Sequence, residues 1–314
     1  MPDSPSCTAP IFILGIHGRS GTNFLADLLC LHPDCGIPAP IMEDYLVCHS
    51  DLLVRYAESV YWHWSRKPSF GVDESFADLL YQSIGNGLIS FLTSQINEKR
   101  LVTKTPSVGN LKYFFKLFPH AYLLILVRDG RAVVESSVKS FGWDYEETMR
   151  KWADAARTIL DFDRDTKNSN VKYIIVRYED LYSNTEEELR RIFAFLDLET
   201  ETYNLDAALG LPVKGSSVFH GQKEKSVHWK PVEKTSDFNP LQRWSRWNRA
   251  LHERFNWLAG RYLVQFGYEK RQYATNRLLW VMYNRVLDIR WRAKVKRQSI
   301  LSTVKRRLRK HEVA

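Results

Sequence analysis

The chain has 314 residues, 44% of them hydrophobic and 13% aromatic, with a formal net charge of +9. That composition excludes a disordered or low-complexity protein and allows one large core with a small appendage. From Arg285 to Ala314 eleven Lys/Arg face only Asp288 and Glu312, so this tail carries the whole excess and residues 1–284 are neutral overall. An anion site in the body must therefore be built locally.

Met1 to Pro10 has no basic segment followed by an apolar run, and no stretch of about 18 uncharged apolar residues occurs, so neither a secretory signal nor a membrane span is expected. Cys7, Cys30, Cys35 and Cys48 fit no zinc spacing with His32 or His49. Reduced structural thiols and a cytoplasmic setting are the expectation, with no metal site.

In chain order, Ile11 to Leu14 is a short apolar run and reads as a buried strand. The turn Gly15-Ile16-His17-Gly18-Arg19-Ser20-Gly21 follows. Thr22 to Leu31 then has helical apolar spacing and stops at Pro33. Leu101 to Thr103 reads as a short strand, and Tyr122 to Val127 as a central parallel strand. A helix is expected from about Ala132 to Ser140, a strand at Tyr173 to Val176, and a helix from Thr185 to Leu196. Residues 205–240 are rich in Gly and Pro and read as loop. A helix is expected from Leu241 to about Phe266, followed by helices with the apolar stripes Leu279, Met282, Val286 and Leu301, Val304, Leu308. Alternating strands and helices imply an α/β fold: a P-loop-type parallel β-sheet flanked by helices on both faces, with a helical C-terminal extension. The expected division is residues 1–270 and a basic amphipathic tail, 271–314.

A glycine turn between strand and helix presents backbone N–H groups and the positive end of the helix dipole, which suits an anion. Gly18 and Gly21 allow close approach, Ser20, Thr22 and Asn23 add donors, and Arg19 adds charge. A Walker A motif needs Lys-Ser/Thr after its last glycine; here Thr22-Asn23 follows Gly21, which disfavours metal-dependent phosphoryl transfer. Arg128 stands at the C-terminal end of the central strand, where such sheets bind ligands, and its planar fork suits a phosphate. Ser136 lies two turns into the next helix. Lys104 follows the short strand, and Glu43-Asp44 follows the first helix.

Together these segments resemble the sulfotransferases that use 3′-phosphoadenosine-5′-phosphosulfate (PAPS). Residues Ile13 to Thr22 are similar to their 5′-phosphosulfate loop, and Leu126 to Arg131 with Ser136 to their 3′-phosphate motif. The order Glu43, Lys104-Thr105-Pro106, Leu117-Phe118-Pro119, Val127 to Arg131, then Val176 to Leu181 is most similar to the tyrosylprotein and related bacterial branch, over roughly residues 10–270. The resemblance implies that PAPS is the co-substrate and that no metal is needed. It implies that Glu43 takes the acceptor proton and that Lys104 and Arg19 stabilise the sulfuryl and leaving oxygens. Gly18, Arg19, Ser20, Gly21, Thr22 and Asn23 then hold the 5′-phosphosulfate, Arg128 and Ser136 the 3′-phosphate, and Tyr178 lies near the adenosine. Ser226 and Lys230, in the loop Gly221 to Lys234, are expected to close over the nucleotide. His17 stands where many members have proline, and Asn23 where many have threonine.

The expected acceptor is a hydroxyl on a carbohydrate or glycolipid, with a peptide tyrosine as the alternative; Glu43 follows Pro38-Ala39-Pro40-Ile41-Met42 and lacks the tighter spacing of the tyrosylprotein enzymes. The ten tryptophans suit either a core or a sugar platform. A P-loop kinase of small molecules is the rival from another class, and a binding module without activity leaves the paired phosphate motifs unexplained. The alternating apolar and basic faces of the tail point to an anionic membrane surface on the cytoplasmic side rather than to nucleic acid.

Overall fold

The computed structural model describes residues 9–212, 239–271 and 277–311, with side chains described up to residue 300. Ser226 and Lys230 lie outside the described residues.

Five strands, β1 (Ile11–Gly15), β2 (Cys35–Gly36), β3 (Arg100–Thr105), β4 (Tyr122–Val127) and β5 (Tyr173–Arg177), form one sheet in the order β2-β3-β1-β4-β5. Every pairing is parallel. A parallel sheet is covered on both faces, so its central strands need side chains that tolerate burial on either side. The unbroken apolar runs of β1 and β4 meet that need, and every residue of both is buried. β3 is longer than the expected Leu101–Thr103 and includes Lys104 and Thr105, both buried. Its polar residues broke the apolar signal, yet the backbone pairing with β1 runs through Thr105.

The helices are α1 (Thr22–Cys30), α2 (Ser50–Ser65), α3 (Glu74–Thr93), α4 (Phe114–Leu117), α5 (Gly130–Phe141), α6 (Tyr145–Thr166), α7 (Tyr178–Ser183), α8 (Thr185–Leu196), α9 (Leu205–Leu209), α10 (Arg249–Gln265) and α11 (Arg277–His311). One face of the sheet packs Ile11, Ile13, Leu124 and Leu126 against Leu25 and Leu28 of α1 and Ile192, Phe193 and Leu196 of α8. Phe12 alternates to the other face, where its ring meets Phe114 at 5.1 Å and Phe118 at 4.7 Å. α2, α3 and α6 were not anticipated from apolar spacing. A start signal for α6 is nevertheless present: Asp144 caps it by accepting from Glu147 N, and Glu146 and Glu147 occupy the first turn.

The chain divides into two compact units, residues 1–246 and 247–314. The helix expected from Leu241 begins only at Arg249. Asn248 has extended backbone angles and caps α10 by accepting from Leu251 N, so residues 241–248 stay outside the helix. In the second unit, Arg254 of α10 donates to Asn284 O at 3.1 Å and to Asp288 at 2.7 Å, and Trp257 Nε1 donates to Asp288 at 2.9 Å. These contacts set which face of α11 packs on α10.

The seat of α3 is unusually close. A Cβ added at Gly85 would stand 1.8 Å from Leu117 O, so only glycine lets α3 reach the backbone of α4. Gly85→Ala is expected to destabilise the first unit by about 1–3 kcal/mol, the usual cost of overpacking. Thermal unfolding monitored by circular dichroism checks this; an unchanged Tm would show that the helix shifts freely.

Candidate active site

β1 ends at Gly15 and the chain turns sharply to enter α1. A Cβ at Gly15 would lie 2.3 Å from Ser20 Oγ, so the turn folds back over the strand end. Gly21 caps α1 with φ 102° and offers no capping side chain, so the first backbone N–H groups of the helix have no side-chain acceptor there. The same glycine lies against the Tyr178 ring: its Cβ would meet Tyr178 Cδ2 at 2.4 Å. Arg19 has φ 73°, a left-handed conformation that is costly for a non-glycine residue and recurs at functional sites.

Three arginines gather beside this turn. Arg19 Nε donates to Ser136 Oγ at 3.1 Å, and Arg243 Nη1 donates to the same oxygen at 2.7 Å. Arg128 Nη1 donates to Arg19 O at 2.8 Å and Nη2 to Pro240 O at 2.6 Å, with its guanidinium 4.2 Å from the Tyr178 ring centroid. Burial, reinforced by mutual repulsion, pushes Arg19 and Arg243 each down to about 10. A group of cations held this close out of water is stabilised by an anion. Asp129 does not serve: its carboxylate is engaged by Arg131, at 2.6 Å. Arg243 was not anticipated, because it lies in no motif and belonged to a stretch read as helix.

The second group stands on β3. Lys104, with 2% of its side chain exposed, lies 3.3 Å from Glu43 Oε1, and the Tyr45 hydroxyl donates to Glu43 Oε2 at 2.5 Å. Burial lowers Lys104, while Glu43 raises it. The neighbouring Asp44 is used differently. Its carboxylate accepts from Thr103 at 2.7 Å, Thr105 at 3.0 Å and Leu46 N at 2.7 Å, and Asp44 N donates to Lys104 O. Asp44 thus clamps the loop to β3 and presents Glu43. Desolvation raises the Asp44 carboxyl. His17, on the turn, is lowered by burial and accordingly favours its neutral form.

The arginine group opens on a cleft of about 750 Å³, and so do Glu43 and Tyr45 of the second group, with Lys104 buried behind Glu43. The cleft is lined by Gly18, Arg19, Gly21, Thr22 and Asn23 of the turn and α1, by Arg128, Ser136, Tyr178 and Arg243, and by Glu43. Arg19 stands in the arginine group by Ser136, while Lys104 stands with Glu43. Ser20 is not among the lining residues: its hydroxyl is buried over the end of β1. Three buried polar atoms of the residues lining this cleft have no partner among the described residues: Asn23 Oδ1, Arg128 Nε and Tyr178 OH. Such atoms are costly to bury unpaired and mark where a polar ligand is satisfied. Arg128 Nε and Tyr178 OH are donors that suit one anionic group at the arginine corner, and the uncapped N-terminus of α1 suits a second at the turn.

A family model for the sulfotransferase family matches residues 10–202. The protein-tyrosine sulfotransferase of Drosophila melanogaster is 30% identical over 204 residues, which cover 60% of this chain and 38% of that protein. Protein-tyrosine sulfotransferase A of Caenorhabditis elegans is 28% identical over 207 residues, covering 62% of this chain and 52% of that protein. The chain thus spans about half or less of the length of these two relatives. The sulfotransferase domain of the Synechococcus PCC 7002 olefin synthase has the same fold: TM-score 0.51 at 22% identity, covering 85% of this chain and 98% of that one. The sulfotransferase domain from the curacin biosynthetic pathway matches with TM-score 0.52 at 19% identity, over 84% and 99%. A match that takes in the turn, β3 with Lys104, and β4 with Arg128, and that extends over more than half of the chain, shows that this protein belongs to the sulfotransferase family.

Proposed function

We propose that the chain transfers the sulfuryl group of PAPS to a hydroxyl acceptor. The observation that carries this is one cleft with two anion sites and, beside them, a carboxylate paired with a buried lysine. The turn from Gly18 to Asn23 binds the 5′-phosphosulfate through backbone N–H groups at the start of α1. Arg128, Ser136, Arg243 and Arg19 bind the 3′-phosphate, and Tyr178 supports both by packing on Gly21 and under Arg128. PAPS supplies the sulfuryl group and leaves as adenosine 3′,5′-bisphosphate (PAP). Glu43 takes the proton from the acceptor hydroxyl, and Lys104 stabilises charge on the leaving oxygen. Tyr45 and Lys104 hold the Glu43 carboxylate, and Asp44 holds the loop that carries it.

The arginine corner supports a strong preference for a nucleotide with a 3′-phosphate. PAP is expected to bind far more tightly than AMP in calorimetry. Arg243→Ala should weaken PAP binding by about 1.5–3 kcal/mol while leaving AMP nearly unaffected, and Arg128→Ala, which also releases Arg19 O of the turn, should weaken PAP by at least as much. Equal affinity of the native protein for both nucleotides would overturn the assignment.

Glu43→Gln is expected to lower turnover by roughly 10²–10⁴-fold with PAP affinity intact. Asp44→Asn should act mainly on stability. A Glu43→Gln protein that turned over normally would remove Glu43 as the base.

We further propose that α11 rests on an anionic membrane surface, which would keep the enzyme peripheral to a bilayer and near a lipid-linked acceptor. Leu278, Leu279, Met282, Val286 and Ile289 are exposed. They follow helical spacing on the side opposite Asn284 and Asp288, which face α10. Arg285, Arg290, Arg292 and Lys294 border that stripe. An apolar stripe flanked by basic residues is the pattern of an interfacial helix, each charge adding about 1 kcal/mol near an anionic leaflet. The full chain is expected to co-sediment with phosphatidylserine vesicles at low salt, and Met282→Glu with Ile289→Glu to release it. Failure of the native chain to co-sediment would refute this role.

A further inference from the structure

A second cavity, of about 830 Å³, lies beyond the first and belongs to none of the groups described above. Its walls continue those of the cleft. The segment after β3 lines the cleft with Pro106, Ser107, Val108 and Gly109, and lines the second cavity with Asn110, Leu111 and Lys112. On the opposite side α6 lines the cleft with Lys151, Asp154, Ala155 and Thr158, and the second cavity with Thr158, Asp161, Phe162, Asp165 and Thr166. Thr158 borders both. At 1.5 Å per helical residue, the wall from Lys151 to Thr166 is about 22 Å long. The other wall begins at Pro106, two residues after Lys104. Glu43 and the three arginines border only the cleft, so the second cavity is the end of this path remote from them.

We propose that these two cavities form one acceptor groove, that the acceptor is an oligosaccharide-like chain of several units, and that the second cavity holds a unit remote from the reacting hydroxyl. This deepens the proposed sulfuryl transfer and rests on it. The chemistry of the second cavity favours hydroxyl-rich chains. Asp78, Asp161, Asp165, Gln82, Asn110, Thr158 and Thr166 offer carboxylate, amide and hydroxyl oxygens that accept from sugar hydroxyls. Arg164 pairs at the surface with two of those carboxylates, at 3.0 Å from Asp161 and 3.1 Å from Asp165. Phe115 and Phe162 are stacked within 16° of parallel, and both line the cavity, giving an apolar surface for a ring face. Lys112 and Lys116 offset two of the three carboxylates, so the walls carry mixed signs rather than a field that selects a polyanion. A peptide that binds by adding a strand needs a free strand edge. The sheet edges are β2 and β5, and the groove is walled by α3, α4, α6 and the segment after β3.

The test uses the full chain with labelled PAPS and the mono- to hexasaccharides of the chito-, cello- and malto- series, and tyrosine peptides of matched length. Binding of the same saccharides in the presence of PAP is followed by ligand-observed NMR. For at least one series kcat/KM is expected to rise with length and then level off. Gln82→Ala and Asp78→Ala, both on α3 and away from the reacting pair, should each lower kcat/KM for the longer saccharides by about tenfold, a typical loss for one hydrogen bond. They should leave the monosaccharide rate and PAP affinity unchanged. Equal rates at every length, or equal losses for short and long saccharides in both variants, would overturn the groove. Length-dependent turnover of peptides alone would overturn the saccharide class. PAP binding without saccharide engagement defeats this inference only, whereas failure to bind PAP defeats the proposed function itself.

Discussion

Arg19, Arg128 and Arg243 occupy one buried corner, and Ser136 Oγ accepts from two of them. Burial and mutual repulsion depress Arg19 and Arg243 to about 10. Such a corner would be expelled to solvent unless the surrounding backbone held it. The backbone does so through Arg19 O, which accepts from Arg128, and Pro240 O, which accepts from the same guanidinium. The left-handed conformation of Arg19 belongs to the same constraint, since the turn must both present its amides and send this side chain towards Ser136. The fold thus holds positive charge in place in advance, which is how a preorganised site gains affinity for an anion without rearranging.

Tyr178 links that corner to the turn. Its ring is fully buried, lies beneath Gly21 and carries Arg128 above it. Desolvation raises its phenol, which keeps the hydroxyl protonated and a donor. A single aromatic side chain from the start of α7 therefore spaces the helix N-terminus from the arginine corner. The sheet order makes this feasible: β1 carries the turn, and β4 beside it carries Arg128. β5, next to β4, leads directly into Tyr178, and all three strands run parallel, so their C-terminal ends open on the same side.

The adjacent carboxylates at positions 43 and 44 show how a fold separates two like groups. Asp44 is taken up by three donors and becomes structural; Glu43 faces the cleft with Tyr45 and pairs with the buried Lys104. Nothing in residue type distinguishes them. The difference arises because Thr103 and Thr105 alternate with Lys104 on β3, so the hydroxyls and the ammonium leave the strand on opposite faces. Asp44 meets the first face and Glu43 the second.

Local signals determined much of this protein. The buried runs of β1 and β4, the glycine turn into α1, and Arg128 at a strand end depend on neighbours in sequence, and apolar continuity and turn chemistry report such features directly. The exposed stripe of α11 was legible too, because helical periodicity is local. Other features required the tertiary structure. Arg243 is 107 residues from Ser136, and only the chain path through Pro240 brings it there. The polar end of β3 reads as loop until its pairing with β1 is known, since burial of Lys104 depends on Glu43, 61 residues away. α2 and α3 carry many half-exposed apolar residues, which blurs their periodicity, and the cavity beside α6 is formed by segments far apart in sequence. Local pattern thus decided which segments are strands, turns and helices. Long-range packing decided which polar side chains meet, because the free energy of burying a charge depends on partners that no local pattern contains.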